Sequence, residues 1–389
     1  MSAHASSLEP PEDIVTPVLL KLHSALLLGV LAGLGGGCAT PGPGSSHEAQ
    51  VILRAAPLLQ FLGANSPDPD TRGDCDCNNP LHWDGDRLFV FNSAGHPWRS
   101  EGADLFHLTN RQVRCEYDTK ASGGRWIECT WKVKDGTLYG WYHFEPQGIC
   151  PGKHPKAPYM SFTAPKIGAV KSSDNGATWH DLGIVLEAPP ILRCDTKNFY
   201  FVGGNGDFSV MLDSSQRWLY FFISTYAGEV SEQGVAMARM RWADRDAPVG
   251  RVWKWREREW RSPGLGGQAT PIFPARVDWH HADADAFWGP AIHWNTHLRQ
   301  YVVLLNRATD ADWTQEGIYV SFNRDLANPA EWTAPAKILG NLATNAWYPQ
   351  VVGTDKSRRE TDKLAGKTAR LFVHGQSKWE MEFRKPGER

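Results

Sequence analysis

Three carboxylates stand at the openings of apolar, strand-like runs: Asp76, Glu128 and Asp207. Carboxyl groups brought together do general acid–base chemistry. One gives a proton to a leaving oxygen while the other activates water or attacks carbon. A third acid in such a set tunes the donor's pKa. Asp76 lies in Cys75-Asp76-Cys77, with Asp74 as its close alternative. Glu128 lies in Trp126-Ile127-Glu128-Cys129, and Asp207 ends Gly203-Gly204-Asn205-Gly206-Asp207. Those glycines allow close backbone approach, as a pocket floor requires. The run lacks the Gly-Lys-Ser/Thr ending and the following helix of a phosphate loop. Glu145, in Tyr142-His143-Phe144-Glu145, is a second acid candidate, expected on a rim because it ends a strand. His82, His143 and His293, with Trp288, Trp347 and Tyr348, form a candidate substrate-binding lining. Plainer readings stand beside these. Asp76 as an exposed loop acid, Glu128 paired with a core arginine, Asp207 capping a turn, and histidines held by buried neighbours would all be structural.

The elements that must position these groups repeat. Pro80-Leu81-His82-Trp83, an Asp84-Gly85 turn and Arg87-Leu88-Phe89-Val90 make one phrase. It returns as Glu128-Cys129-Thr130-Trp131, Asp135-Gly136 and Leu138-Tyr139-Gly140-Trp141. Asp207-Phe208-Ser209-Val210 with Trp218-Leu219-Tyr220-Phe221 is a third copy. Trp288-Gly289-Pro290-Ala291-Ile292 with Gln300-Tyr301-Val302-Val303 is a fourth, and Trp347-Tyr348-Pro349-Gln350-Val351 with Ala369-Arg370-Leu371-Phe372 a fifth. Third strands follow at Ile167, Gln233 and Gln315, and fourth strands are expected to carry Trp179, Trp260 and Trp332. Short strands joined by Asp-Gly hairpins are an all-β signal. A repeat of about 60–70 residues fits a four-stranded propeller blade with long loops. The expectation is therefore an all-β, five-bladed β-propeller of four-stranded antiparallel blades over residues 50–389. Residues 50–62 are expected to supply a strand to the last blade, because closure removes exposed edges.

Ser172-Ser173-Asp174-Asn175-Gly176-Ala177-Thr178-Trp179 resembles the Asp box of sialidases and related propellers, a turn motif on the rim. From about Asp74 onward the chain resembles the five-bladed propeller glycoside hydrolases, which include arabinanases, xylosidases, invertases and levansucrases. That resemblance implies a substrate over the propeller axis and acids at the starts of the innermost strands. It implies Asp76 as general base, Glu128 as general acid and Asp207 as pKa modulator or orienter. Members of one type open their first blade with Asn-Asp-Pro-Asn, the Asp being the nucleophile. This chain reads Asn78-Asn79-Pro80 and lacks that carboxylate. The alternative function is accordingly a non-catalytic glycan-binding or interaction propeller. Sialidases use six blades and a different residue set that is not identified in this chain.

The rest of the chain bounds the setting. An apolar run at 25–34 follows Lys21 and ends in Gly35-Gly36-Gly37-Cys38. It is too short to span a bilayer, for which about 20 apolar residues are needed. It has the layout of a signal peptide (1–38) with a lipobox-like Cys38, and 39–49 reads as a flexible linker. An exported protein is expected, periplasmic or at the cell surface, held to the membrane by a lipid at Cys38. The remaining six cysteines are expected in disulfides, with fifteen pairings open. The Cys75-x-Cys77 spacing does not suit a zinc knuckle. No metal and no cofactor are expected. With 41 basic and 43 acidic residues the net charge is -2, which leaves no basic surplus for nucleic acid. The 18 tryptophans suit both buried blade interfaces and sugar-stacking faces. The expected activity is cleavage of glycosidic bonds in an extracytoplasmic poly- or oligosaccharide, with oligomeric state open.

Overall fold

Runs such as Trp218–Thr225 and Gln300–Ala308 carry unbroken apolar stretches at their centres, so both of their faces must be covered. A computed structural model describes residues 49–63, 75–150, 162–198, 200–340 and 346–388, and shows how that is done. Five mainly antiparallel sheets stand side by side as the blades of a five-bladed β-propeller. Blade 1 is Leu81–Asp84, Arg87–Ser93, Pro97–Gly102 and Val113–Arg114. Blade 2 is Gly123–Lys132, Leu138–Pro146, Lys166–Ser172 and Thr178–Leu186, with Glu116–Tyr117 added in parallel outside. Blade 3 runs Asn205–Leu212, Trp218–Thr225, Gly234–Arg241, Trp253–Arg256 and Glu259–Pro263. Blade 4 is Ala286–Asn295, Gln300–Ala308, Gln315–Asn323 and Ala336–Gly340. Blade 5 is Gln350–Gly353, Thr368–Val373 and Gln376–Arg384, and its outermost strand is Gln50–Gln60 from the other end of the chain. Val51 lies opposite Phe383 and Leu53 opposite Met381, so the ring is closed as expected. Helical structure among the described residues is limited to four three-residue 3₁₀ turns. The expected signal segment, Cys38 and nearly all of the 39–49 linker lie outside the described residues, as does Asp74.

Strand alternation distributes the core. Val302 and Leu304 point to blade 5, where Leu371 and Met381 meet them, while Val303 and Leu305 point to Phe222 and Met237 of blade 3. Equivalent buried clusters join blades 1 and 2 through Phe91 and Trp179, and blades 2 and 3 through Trp141 and Phe221. Blades 5 and 1 meet through Phe372 and Val90. At the 172–179 turn, the Asp174 carboxylate accepts the Thr178 N–H at 2.9 Å and the Ser172 hydroxyl at 2.7 Å. Gly176 sits there at φ 80°, where an added Cβ would meet Phe91 at 2.5 Å.

Three local expectations are corrected. Trp260 lies on a fifth strand of blade 3, because the Trp253–Arg256 hairpin adds one. Trp332 precedes its strand rather than lying in it. Of the six cysteines, Cys150 and Cys194 form a disulfide, whereas the side chains of Cys75, Cys77, Cys115 and Cys129 are buried in the blades as small groups.

Candidate active site

The inner strands of blades 2 and 3 share a defect at matching positions. Pairing slips between Ile127 and Cys129, and again between Gly206 and Phe208. The extra residues are Glu128 and Asp207. A bulge re-aims the side chain of its unpaired residue, and both carboxyls are thereby turned toward the propeller axis. Asp207 holds φ 37°, a left-handed value uncommon for a residue with a side chain. Blade 4 has its own slip between Trp288 and Ala291, around Gly289-Pro290.

All five blades lend side chains to one cavity of about 220 Å³. Blade 1 contributes Asp76, and blade 2 contributes Trp126 and Glu145. Tyr200, Phe201 and Asp207 come from the blade 3 side, Trp288 and Trp313 from blade 4, and Trp347 and Tyr348 from blade 5. Aromatic edges pack the wall: Trp288 meets Trp313 at 4.9 Å and Tyr348 at 5.4 Å.

Asp207 is 4% exposed, and both of its oxygens are engaged. The Tyr226 hydroxyl donates to Oδ2, and the Tyr348 hydroxyl donates to Oδ1 at 3.3 Å. Burial pushes the Asp207 pKa up, against the pull of His143 and the Tyr226 hydrogen bond. Burial also pushes both tyrosines well above their usual value, with the Asp207 charge adding to it, so they remain donors. Glu128 is 2% exposed, lies behind Asp207 and is not on the cavity wall. Its Oε2 accepts the Phe208 N–H at 2.6 Å. Burial drives its pKa well above the carboxylate range, opposed by His143 and reinforced by Asp207.

His143 links these acids. Its Nδ1 accepts the Asp207 N–H at 3.0 Å and lies 3.5 Å from Glu128 Oε1, while Nε2 is 3.1 Å from Glu145 Oε1. Burial opposes protonation of the ring, yet the Glu145 hydrogen bond and the charges of Asp207, Glu145 and Glu128 would lift its pKa to about 9. The geometry of Nδ1 argues the other way, since an Nδ1–H would collide with the Asp207 N–H. We assign the neutral ring with its proton on Nε2, and place the cluster's second proton on Glu128. One ligand atom each from Glu128, His143 and Asp207 lie within 4.8 Å of one another, a donor set that could close on a cation. Protein N–H groups already occupy Glu128 Oε2 and His143 Nδ1.

The cavity thus holds Asp76, Glu145, Asp207, Trp288, Trp347 and Tyr348 of the sequence candidates, and Glu128 and His143 stand directly behind it. His82 and His293 do not line it, which corrects their expected place. His82 stacks on Phe89 at 5.1 Å and bonds Asn175 at 3.3 Å beside the 172–179 turn. His293 is past the blade 4 bulge and packs against Phe383. Burial lowers both pKa values to about 3, so both rings are neutral. Asn79 is also turned inward: its Nδ2 donates to the Phe91 carbonyl and its N–H to Gln350. Trp126, Tyr200, Phe201, Trp313 and Tyr226 were not among the sequence candidates. Trp126 had a signal, since it stands two residues before Glu128 on the same strand; the other four lie on loops or strand ends.

No family model matches the chain, and no curated protein sequence matches it. Solved structures of similar shape include a thermostable family-43 glycoside hydrolase, at TM-score 0.46 and 9% identity, covering 80% of this chain and 91% of that one. The catalytic domain of the Coprinopsis cinerea GH62 alpha-L-arabinofuranosidase aligns at TM-score 0.47 and 10% identity, over 87% and 97%. An exo-1,5-alpha-L-arabinanase from a bovine ruminal metagenomic library aligns at 0.44 and 13%, over 80% and 93%. All three scores are below 0.5, and no residue role is carried over from them.

Proposed function

We propose that this protein is a glycoside hydrolase acting on a poly- or oligosaccharide. The observation that carries the reading is a single axial cavity in which Asp76, Glu145 and Asp207 share an aromatic wall, with a buried acid behind them. Flat indole and phenol faces cover the apolar side of a sugar ring, and the carboxyls meet its hydroxyls and the glycosidic oxygen. In this reading Asp76 activates water. Glu145 faces the leaving oxygen as proton donor, in place of Glu128. Glu128 keeps its proton behind His143, whose neutral ring holds Glu145 in place through its Nε2–H. Asp207, fixed by Tyr226 and Tyr348, orients the sugar.

Export, with Cys38 as a lipid-attachment site, belongs to the same proposal. The Cys150–Cys194 disulfide supports an oxidising compartment. A non-catalytic glycan-binding propeller is the second reading, favoured by Asn79 at a position where relatives of the resembled group hold an acid.

The test is sugar release from a panel of arabinans, xylans, galactans and fructans, and from nitrophenyl glycosides. Asp76→Asn and Asp207→Asn are expected to lower kcat by about 10²–10⁴ on every cleaved substrate. Glu145→Gln is expected to do so on polymers but to spare nitrophenyl glycosides, whose leaving group needs no proton. Binding of one glycan with no cleavage by the wild type would establish the second reading instead.

A further inference from the structure

A broad concave surface lies on the outer strands of blade 3, away from the axial cavity, and it is basic and aromatic. Strand register builds it. Trp218 pairs across from Arg241 and Tyr220 from Arg239 on the next strand, and Arg239 pairs in turn with Trp253. Residues two apart on a strand share a face, so Arg239 and Arg241 emerge side by side. The Arg239 guanidinium lies 4.2 Å from the Trp218 ring centroid and 4.7 Å from that of Trp260, sandwiched between them. Arg241 covers Trp218 from 5.7 Å. Two adjoining hollows of about 520 and 480 Å³ share Trp218 and Arg241. The first also takes in Arg251, Arg261 and Trp253, and Trp253 is 42% exposed.

Much of the arginine charge in this groove has no ion-pair partner among the described residues. Arg261 pairs with Glu257 and Glu259. Among the described residues, no carboxylate lies within ion-pair distance of Arg239, Arg241 or Arg251. A chain with a net charge of -2 that concentrates unpaired guanidinium groups beside the half-buried Trp218 and Trp260 and the exposed Trp253 has a local surface fitted to an anion with flat apolar faces. Arginine's planar fork matches carboxylate and sulfate oxygens, and indole packs against the C–H face of a sugar ring. Asp244, Glu257 and Glu259 stand at or beside the groove. Either strand would meet these carboxylates; the fit of the indoles to the C–H face of a sugar ring, in a chain with no basic surplus, favours the glycan.

We infer that the outer edge of blade 3 is a second, non-catalytic binding site for an acidic polysaccharide carrying carboxylate or sulfate groups. It would hold the protein on such a polymer while the axial cavity works independently.

The experiment is affinity electrophoresis and calorimetry of the whole protein with oligogalacturonate, dextran sulfate, a neutral xylo-oligosaccharide and a single-stranded oligodeoxynucleotide, at about 0.1 M salt. Binding to oligogalacturonate or dextran sulfate is expected to exceed that to the other two. The exposed pair Arg241→Glu/Arg251→Glu is expected to weaken it by at least about tenfold. Trp253→Ala should weaken it without altering the salt dependence. Thermal unfolding of each variant, and its hydrolysis of whatever neutral substrate the wild type cleaves, should be unchanged. Binding does not depend on catalysis, so an inactive propeller that still binds the anions would uphold the site while refuting the hydrolase reading. Equal affinity in the double variant, no binding to either anionic glycan, or preference for the oligonucleotide overturns the inference.

Discussion

Asp207 is where the site's chemistry is most exposed to test. The Tyr226 hydroxyl donates to its carboxylate and so favours the charged form. Tyr226→Phe removes that donor, and the Asp207 pKa, already lifted by burial, rises further. As pH falls, the ionised form is then lost earlier. The acid limb of kcat/KM is expected to move to higher pH while the alkaline limb stays, with a loss of roughly tenfold on the acid side. An unchanged profile would mean that Asp207 does not titrate in the rate-determining step. This residue was legible in the sequence because it ends a glycine run before an apolar strand. The division of labour between Glu128 and Glu145 was not. Both looked like strand acids, but a bulge turned one behind the imidazole, and strand length carried the other to the cavity wall.

The elements hold the site through groups that nothing in the sequence marks. Lys254, in Trp253-Lys254-Trp255, is buried on the fourth strand of blade 3. Its ammonium donates to the Glu187 carbonyl at 2.6 Å, the Gly267 carbonyl at 2.7 Å and Asn205 Oδ1 at 3.0 Å. Three donors meet three acceptors, and the last of these lies two residues from Asp207. Lys254→Met removes the ammonium from the Gly267 carbonyl and Asn205 Oδ1, while the Glu187 carbonyl keeps the Gly266 N–H. It is expected to cost about 2–4 kcal/mol in urea unfolding and to lower kcat more than it raises KM. Native stability in that variant would show that water replaces the ammonium without loss. A lone lysine between tryptophans reads as an exposed strand residue, because charge alone argues for solvent. By contrast, the blade strands were plain from their apolar runs and Asp-Gly turns, although the extra hairpin around Trp260 and the place of Trp332 ahead of its strand escaped.

At the scale of the molecule, five copies of one phrase predicted five blades, and the closing strand was recognisable as an apolar run left over before the first copy. Its pairing with Gln376–Arg384 makes the ring one cooperative object. Removing 50–60 exposes the edge of the last strand and uncovers Met381 and Phe383. The loss is expected to approach the whole folding free energy, about 5–15 kcal/mol, with aggregation on size-exclusion chromatography. A monomer with wild-type melting behaviour would show that three strands suffice for blade 5. The same pairing sets a timetable for the newborn chain. Gln50 is made more than 300 residues before its partner Arg384. At about 5–20 residues per second the first strand waits on the order of half a minute for the last. Until then blades accumulate as an open arc with a bare edge at each end. The moment of ring closure is therefore governed by the pace of synthesis, however quickly each hairpin forms.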